Sequence, residues 1–148
     1  MKRIIFGIGS NLGDKEKHLD LAVQFLEEEL SLLNIKRSGI FKNPAMLLPD
    51  SPPEWDQEFF NIALSGDVDV EKYNPEGILD VVKKIEYQIG RRQSQRWSPR
   101  EIDIDILMIE EIRVKINDKL IIPHYDLANR EFFVKTVDEI EKGWRQYL

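Results

Sequence analysis

No cysteine occurs among the 148 residues, so disulfides and thiolate metal sites are both excluded. Histidine is nearly absent as well, with only His18 and His124, and no serine motif accompanies them to form a nucleophilic triad. No apolar run approaches the ~20 residues that span a bilayer. The opening Met1-Lys2-Arg3-Ile4-Ile5-Phe6-Gly7 turns to glycine and polar residues too soon for a secretory leader, so a cytoplasmic protein without a membrane partner is expected. A basic excess is also missing. The net charge of −6 argues against a general nucleic-acid binder. Repeats, low-complexity tracts and an interdomain linker are lacking too, and residues 1–148 read as one domain of ordinary size.

What is present is an apolar pattern that changes period along the chain. Arg3 to Ile8 reads as a strand, and Asp14 caps a helix whose stripe Leu19, Val23, Leu26, Leu30 and Leu33 follows a three-four spacing. Asn34 to Asn43 reads as a second strand and Glu58 to Val68 as a third. Between them lies a proline-rich loop, Pro44 to Trp55, too long for a tight turn. Asn74 and Pro75 open a second helix with Ile78, Val81, Val82, Ile85 and Ile89 inside, and Gly90 ends it. Glu101 to Ile109 is a fourth strand, followed by a turn at Glu110-Glu111 into Ile112 to Lys115 as a hairpin. Pro123 to Asp126 is a loop, and Leu127 to Glu141 is helical at least in part. The order is β-α-β-β-α-β with a C-terminal helical extension. The expected fold class is therefore α+β, a ferredoxin-like antiparallel sheet with its helices on one face.

Chemistry concentrates after the second helix. Arg91, Arg92, Arg96 and Arg100 fall within ten residues of an acidic chain, which suits a compact polyanion; charge alone leaves a solvated basic loop equally open. Asp103 and Asp105 follow on a strand, where residues two apart share a face with Cα atoms about 6–7 Å apart. Two carboxylates there repel unless a cation joins them, and Mg²⁺ characteristically takes one or two carboxylates and completes its shell with phosphates and water. A wet edge strand would also alternate in this way, and only the arginines upstream tip the balance toward a metal and a polyphosphate. Trp97 offers either a flat face for a heterocycle or a loop anchor. Gly7-Ile8-Gly9-Ser10-Asn11-Leu12-Gly13 lacks the third glycine of a dinucleotide fingerprint and the lysine of a P-loop, and reads as a tight strand-to-helix turn. His18 reads as a surface residue, and His124, beside Tyr125 and Asp126, as structural when taken alone.

Four segments in order carry a resemblance: Gly9-Ser10-Asn11-Leu12, Phe60-Asn61-Ile62-Ala63, Arg96-Trp97-Ser98-Pro99-Arg100-Glu101-Ile102-Asp103-Ile104-Asp105, and Pro123-His124-Tyr125-Asp126 with Asn129-Arg130. Together they resemble the 6-hydroxymethyl-7,8-dihydropterin pyrophosphokinase family over nearly the whole chain. The resemblance implies transfer of diphosphate from ATP to the pterin alcohol in folate biosynthesis, with AMP leaving. It implies two Mg²⁺ ions on Asp103 and Asp105, a pterin sandwiched by Phe59 and Phe132, and Asn61 on its polar edge. Asn43, Pro44, Met46 and Trp97 fall near the pterin. Glu86, Arg96, Trp97, Arg100, His124, Tyr125 and Arg130 fall on the nucleotide side, and Arg91 and Arg100 match arginines tied to closure and turnover. The partners so implied are these two small substrates, with no obligate protein partner.

The sequence also departs from the family pattern. The loop from Arg91 to Arg96 is one residue short and carries Gln93-Ser94-Gln95 in place of basic residues. Lys83 stands where glutamine is expected, and Phe59 where tyrosine is frequent. Two rival readings remain: a ferredoxin-like module that binds single-stranded RNA on sheet aromatics, and a metal-dependent phosphodiesterase using the same aspartates.

Overall fold

The computed structural model describes residues 1–44, 47–92 and 99–148. Seven strands and three helices follow in the order β1 (Lys2–Ser10), α1 (Lys15–Glu29), β2 (Leu33–Arg37), β3 (Phe41–Asn43), β4 (Phe59–Val68), α2 (Pro75–Ile89), β5 (Asp103–Ile109), β6 (Val114–Ile116), β7 (Leu120–Ile122) and α3 (Glu131–Ile140). The main sheet runs β2-β4-β1-β5, with β3 continuing the β2 edge against β4, and its pairings are antiparallel. This is the strand order of a ferredoxin-like α+β core, as the alternation of elements implies. Among the described residues no helix is long and apolar enough to cross a membrane.

The caps sit where the sequence places them. Asp14 accepts a hydrogen bond from the Lys17 amide at 3.2 Å, and Asn74 from that of Gly77 at 2.7 Å. Gly90 ends α2 at φ 133°, in the left-handed half of φ space where glycine is at home. The first helix is shorter than its apolar spacing suggests. It ends at Glu29, and the chain leaves through Ser31 at φ 50°. Leu30 and Leu32 therefore reach the core while Leu33 stays exposed.

The expected single strand over 34–43 is broken in two at Ser38. The Ser38 hydroxyl takes the Ala63 amide at 2.8 Å and so replaces a ladder carbonyl, while the Gly39 amide turns away to Glu139 Oε1 at 2.8 Å. The hairpin expected after Glu110-Glu111 does not form on β5 either, where only an Ile109–Ile112 bridge appears. Val114–Ile116 pairs instead with β7 in a separate two-stranded ribbon.

The sheet is covered on both faces, not on one. Ile4, Phe6, Ile8, Ile62, Leu64, Ile104 and Ile106 pack beneath α1 and α2 with Leu19, Leu26, Ile78, Val82 and Ile85. On the opposite face Ile5, Ala63, Leu107 and Met108 pack against Phe133, Val137, Ile140 and Trp144. Sequence periodicity hides this second layer. A bulge between Ile5 and Phe6 opposes them to Met108 and Ile106, which lets Leu107 and Met108 both point toward α3. Trp144 closes the layer, 1% exposed, with its indole N–H donated to Asp138 at 2.7 Å. Trp144→Ala should lower the unfolding free energy by about 3–5 kcal/mol, read from urea denaturation, and a loss under about 1 kcal/mol would show that the second layer contributes little.

Candidate active site

The α3 layer covers only half of its face. Beyond Ile5, the central strand presents Gly7 and Gly9, which pair with Asp105 and Asp103 on one side and with Ala63 and Asn61 on the other. A Cβ at Gly7 would lie 2.8 Å from the Phe133 ring, and one at Gly9 would lie 2.8 Å from Asn61 Oδ1. These glycines floor a solvent-open cleft of about 660 Å³, lined by Asn43, Phe59, Asn61, Arg100, Asp103, Asp105, Arg130, Phe132 and Phe133. Thus Gly7 and Gly9 are floor residues within β1, and only Gly13, at φ 74°, belongs to the turn expected for the whole glycine-rich stretch.

A second groove, of about 650 Å³, opens between α2 and the β6–β7 ribbon. Lys83, Asp105, Asp118, Lys119, His124 and Tyr125 are among its lining residues. Asp105 lines both spaces and is a wall residue that they share. Strand β7 is not anticipated by the sequence pattern, yet this ribbon brings His124 over β5: the His124 amide donates to the Leu107 carbonyl at 2.8 Å.

Asn61 is positioned at the cleft end of β4, where its amide nitrogen donates to the Asn43 side chain across the β3–β4 pair. Arg100 is fixed through Asn11, a fully buried residue. Asn11 Oδ1 accepts from the Arg100 amide at 2.9 Å, and its own amide donates to the Arg100 carbonyl at 3.3 Å. Asn11 is thus a positioning residue to which the sequence reading assigns no role; its signal is its place in Gly9-Ser10-Asn11-Leu12, one of the segments that carry the resemblance. Arg100 Nε is buried with no hydrogen-bond partner among the described residues, and such a donor in a cleft wall suits an incoming anionic oxygen. Arg130 is held by Asp126, at 3.1 Å through Nε, and its guanidinium lies 5.4 Å from the Phe133 ring centre.

The charges are strongly coupled. Burial, then the neighbouring Asp103 carboxylate, raises the pKa of Asp105 from 3.8 to about 8, against the pull of Arg130. Burial and Arg130 lower that of His124 from 6.5 to about 4, so its ring is neutral near pH 7. His124 Nδ1 accepts from the Asp126 amide at 3.1 Å, which puts the ring proton on Nε2, the atom 3.8 Å from Asp105 Oδ1. Tyr125 stacks on the His124 ring at 4.6 Å.

The structure brings most of the expected site residues to the two spaces, with exceptions. Glu86 and Arg91 line neither; Glu86 is buried at 3% exposure beneath Arg91 and the Ile104 amide. Pro44 is exposed and lines neither. Met46, Arg96 and Trp97 lie outside the described residues. Among the described residues no three His, Cys, Asp or Glu side chains form a metal cluster.

Residues 5–142 match the family described as 7,8-dihydro-6-hydroxymethylpterin-pyrophosphokinase (HPPK). The chain belongs to the HPPK family. A 2-amino-4-hydroxy-6-hydroxymethyldihydropteridine pyrophosphokinase of Aquifex aeolicus is 35% identical over 143 residues, covering 95% of this chain and 81% of that protein. The protein of the same name from Methylorubrum extorquens is 34% identical over 140 residues, 95% of this chain and 83% of that one. A folate synthesis bifunctional protein of Chlamydia muridarum is 34% identical, but the chain spans only 28% of its length. Among solved structures, wild-type Plasmodium falciparum HPPK-DHPS with pterin and p-hydroxybenzoate superposes with a TM-score of 0.62 at 15% identity, over 94% of this chain and 39% of that one. That likeness concerns the fold alone.

The two shifted groups have opposite effects on stability. The depressed His124 pKa adds stability that is lost as pH falls from 6.5 toward 4, whereas the raised Asp105 pKa subtracts stability as pH rises from 3.8 toward 8. Between pH 6.5 and 8 only the Asp105 slope remains of the two. Thermal unfolding without metal should show a melting temperature that falls across this window in the wild type and stays flat by comparison in Asp105→Asn. Parallel curves for the two proteins would remove the raised Asp105 pKa.

Proposed function

We propose that this chain transfers the diphosphate of ATP to the hydroxymethyl group of 6-hydroxymethyl-7,8-dihydropterin, releasing AMP, as a step of folate biosynthesis. The observation that carries the reading is that Asp105 is shared by two unlike spaces: an aromatic cleft with an amide on one side, and on the other a groove that carries Lys83, Lys119, His124 and Tyr125. Phe59 and Phe132 offer faces to a flat ring, and the Asn61 side chain offers the hydrogen bonds that the ring's polar edge requires. Lys83, Lys119, His124 and Tyr125 line the groove for the nucleotide.

Asp103 and Asp105 are hard oxygen donors on one face of β5 and fit Mg²⁺. They would hold the two ions that the resemblance implies, and bound magnesium neutralises and orients the triphosphate. The remaining work falls to positioning. The ring clamp fixes the hydroxymethyl oxygen for in-line attack on the β-phosphorus as the bond to the AMP oxygen breaks. Arg100, with its main chain tied to Asn11, and Arg130, braced by Asp126, supply positive charge to the phosphate oxygens. His124 is neutral and donates through Nε2, so it adds a hydrogen bond without a further charge. Such a transfer requires no covalent intermediate, since alignment and charge neutralisation suffice. By the resemblance, Arg96, Trp97 and Met46 belong to the same site, and the protein works in the cytoplasm on these two small substrates without a nucleic-acid, membrane or obligate protein partner.

The RNA-binding alternative loses its main support from the fold. Helices α1 and α2 cover one face of the sheet and α3 the apolar half of the other, so no broad aromatic sheet surface is open to stack successive bases.

Incubation with Mg²⁺, ATP and the reduced hydroxymethylpterin should yield AMP in step with pterin diphosphate; ADP as the sole product, or turnover independent of the pterin, would sink the assignment. Asp103→Asn and Asp105→Asn should each cut turnover on the order of 10²-fold or more with the circular dichroism unchanged. Gly9→Ala puts its methyl 2.8 Å from Asn61 Oδ1, and should raise the KM for the pterin about tenfold while binding of a nonhydrolysable ATP analogue stays the same. An equal loss in both substrates would contradict the assignment of the two spaces.

A further inference from the structure

Arg91 and Glu86 occupy an arrangement that neither a nucleotide contact nor a mobile closing arginine accounts for. Arg91 reaches two carboxylates through one nitrogen: Nη1 donates to Glu86 Oε2 at 2.7 Å and to Asp103 Oδ1 at 2.8 Å. The two acceptors differ in their freedom. The Glu86 side chain is 4% exposed and accepts the Ile104 amide at 2.8 Å on that same oxygen, with Lys83 Nζ 3.5 Å from the other. The Asp103 side chain is 31% exposed and faces the cleft. The base of Arg91 is tied down as well, its amide donating to the Glu86 carbonyl at 3.0 Å.

We propose that Arg91 is a built-in counter-ion for Asp103, displaced when a divalent cation binds, and that Glu86 is the fixed anchor that makes this exchange possible. The inference rests on the reading of Asp103 as a metal-holding carboxylate. Two carboxylates two residues apart on one strand face repel each other when no cation is present. The Arg91 guanidinium neutralises one of them and so keeps the strand end in place before substrate arrives. A dication on Asp103 Oδ1 would stand within a few ångströms of that guanidinium, and like charges that close repel strongly in a partly buried cleft. One must leave Oδ1. Arg91 can do so without becoming an unpaired buried charge because Glu86 keeps its ion pair and stays attached to the β5 backbone. Glu86 is therefore a positioning residue that acts through Arg91, consistent with its lining neither space.

The two residues should shift metal affinity in opposite directions, although neither would touch the metal. The test is titration of the full-length, nucleotide-free protein with Mn²⁺ at pH 8, with free ion followed by electron paramagnetic resonance. Arg91→Gln should bind Mn²⁺ on the order of tenfold more tightly than the wild type. Glu86→Gln should bind it several-fold more weakly, because Arg91 then has Asp103 as its one carboxylate partner. The double variant Arg91→Gln/Glu86→Gln should behave like Arg91→Gln, and it leaves no buried carboxylate stripped of its guanidinium. If Arg91→Gln alone fails to fold by circular dichroism, the double variant decides, and it must still exceed the wild type. Shifts of the same sign in the two single variants, or a double variant no tighter than the wild type, overturn the counter-ion role. Asp103→Asn separates this from the reading beneath it: wild-type Mn²⁺ affinity in that variant would remove the metal from Asp103 altogether, whereas lost binding there with no opposed shifts at residues 86 and 91 would overturn the exchange alone.

Discussion

The site depends on a gap in the central strand. On its second face β1 packs Ile5 against the α3 layer. At Gly7 and Gly9 it carries no side chain, and there Phe133 and Asn61 come down close to the strand beside the cleft. A methyl group at either position would collide with Phe133 or Asn61, so the gap also allows those two side chains to come close to the strand. Strand pairing then does the rest. Because residues opposite each other across a ladder share a face, the two glycines bring Asp103 and Asp105 from β5 and Asn61 from β4 to opposite sides of one floor.

This arrangement concentrates charge in a place that tolerates it poorly without a partner. Asp105 is pushed toward its neutral form by burial and by Asp103, His124 is held neutral, and Arg91 lies across Asp103. Each is a way of limiting uncompensated charge where water is scarce. Under the proposed function a cation bound with phosphates would relieve the same repulsion, which would link the stability of the protein to its affinity for ligand. Groups beyond the site support it. Asn11 ties the main chain of Arg100, while Glu86 and Asp126 hold the guanidinium groups of Arg91 and Arg130, so less ordering is left to binding itself.

Much of the local structure was legible in the residues. Asp14, Asn74, Pro75 and Gly90 marked helix ends because caps act through neighbouring amides only a few residues away. The order of elements led to the correct fold class for the same reason. The errors arose where distant contacts took over. Leu33 fitted the α1 stripe by spacing but left the core once Ser31 ended the run. The strand over 34–43 was split by Ser38 taking a bond from Ala63, 25 residues away. The helix after Leu127 was anticipated but not the face it covers, since that depends on a bulge in β5 that alternation alone cannot reveal.

By itself the sequence determined the carboxylate pair, the basic run before it, the aromatic and amide residues, and the family to which they point. Those are local or compositional features, and alternation on a strand is enough to place Asp103 and Asp105 on one face. Only the tertiary structure decided that Gly7 and Gly9 form a floor rather than a turn, and that Asp105 stands between two spaces. It also put Glu86 beneath the site instead of within the groove. Each of these depends on which strands are neighbours and in what register, a choice set by burial across the whole sheet rather than by any single stretch of chain.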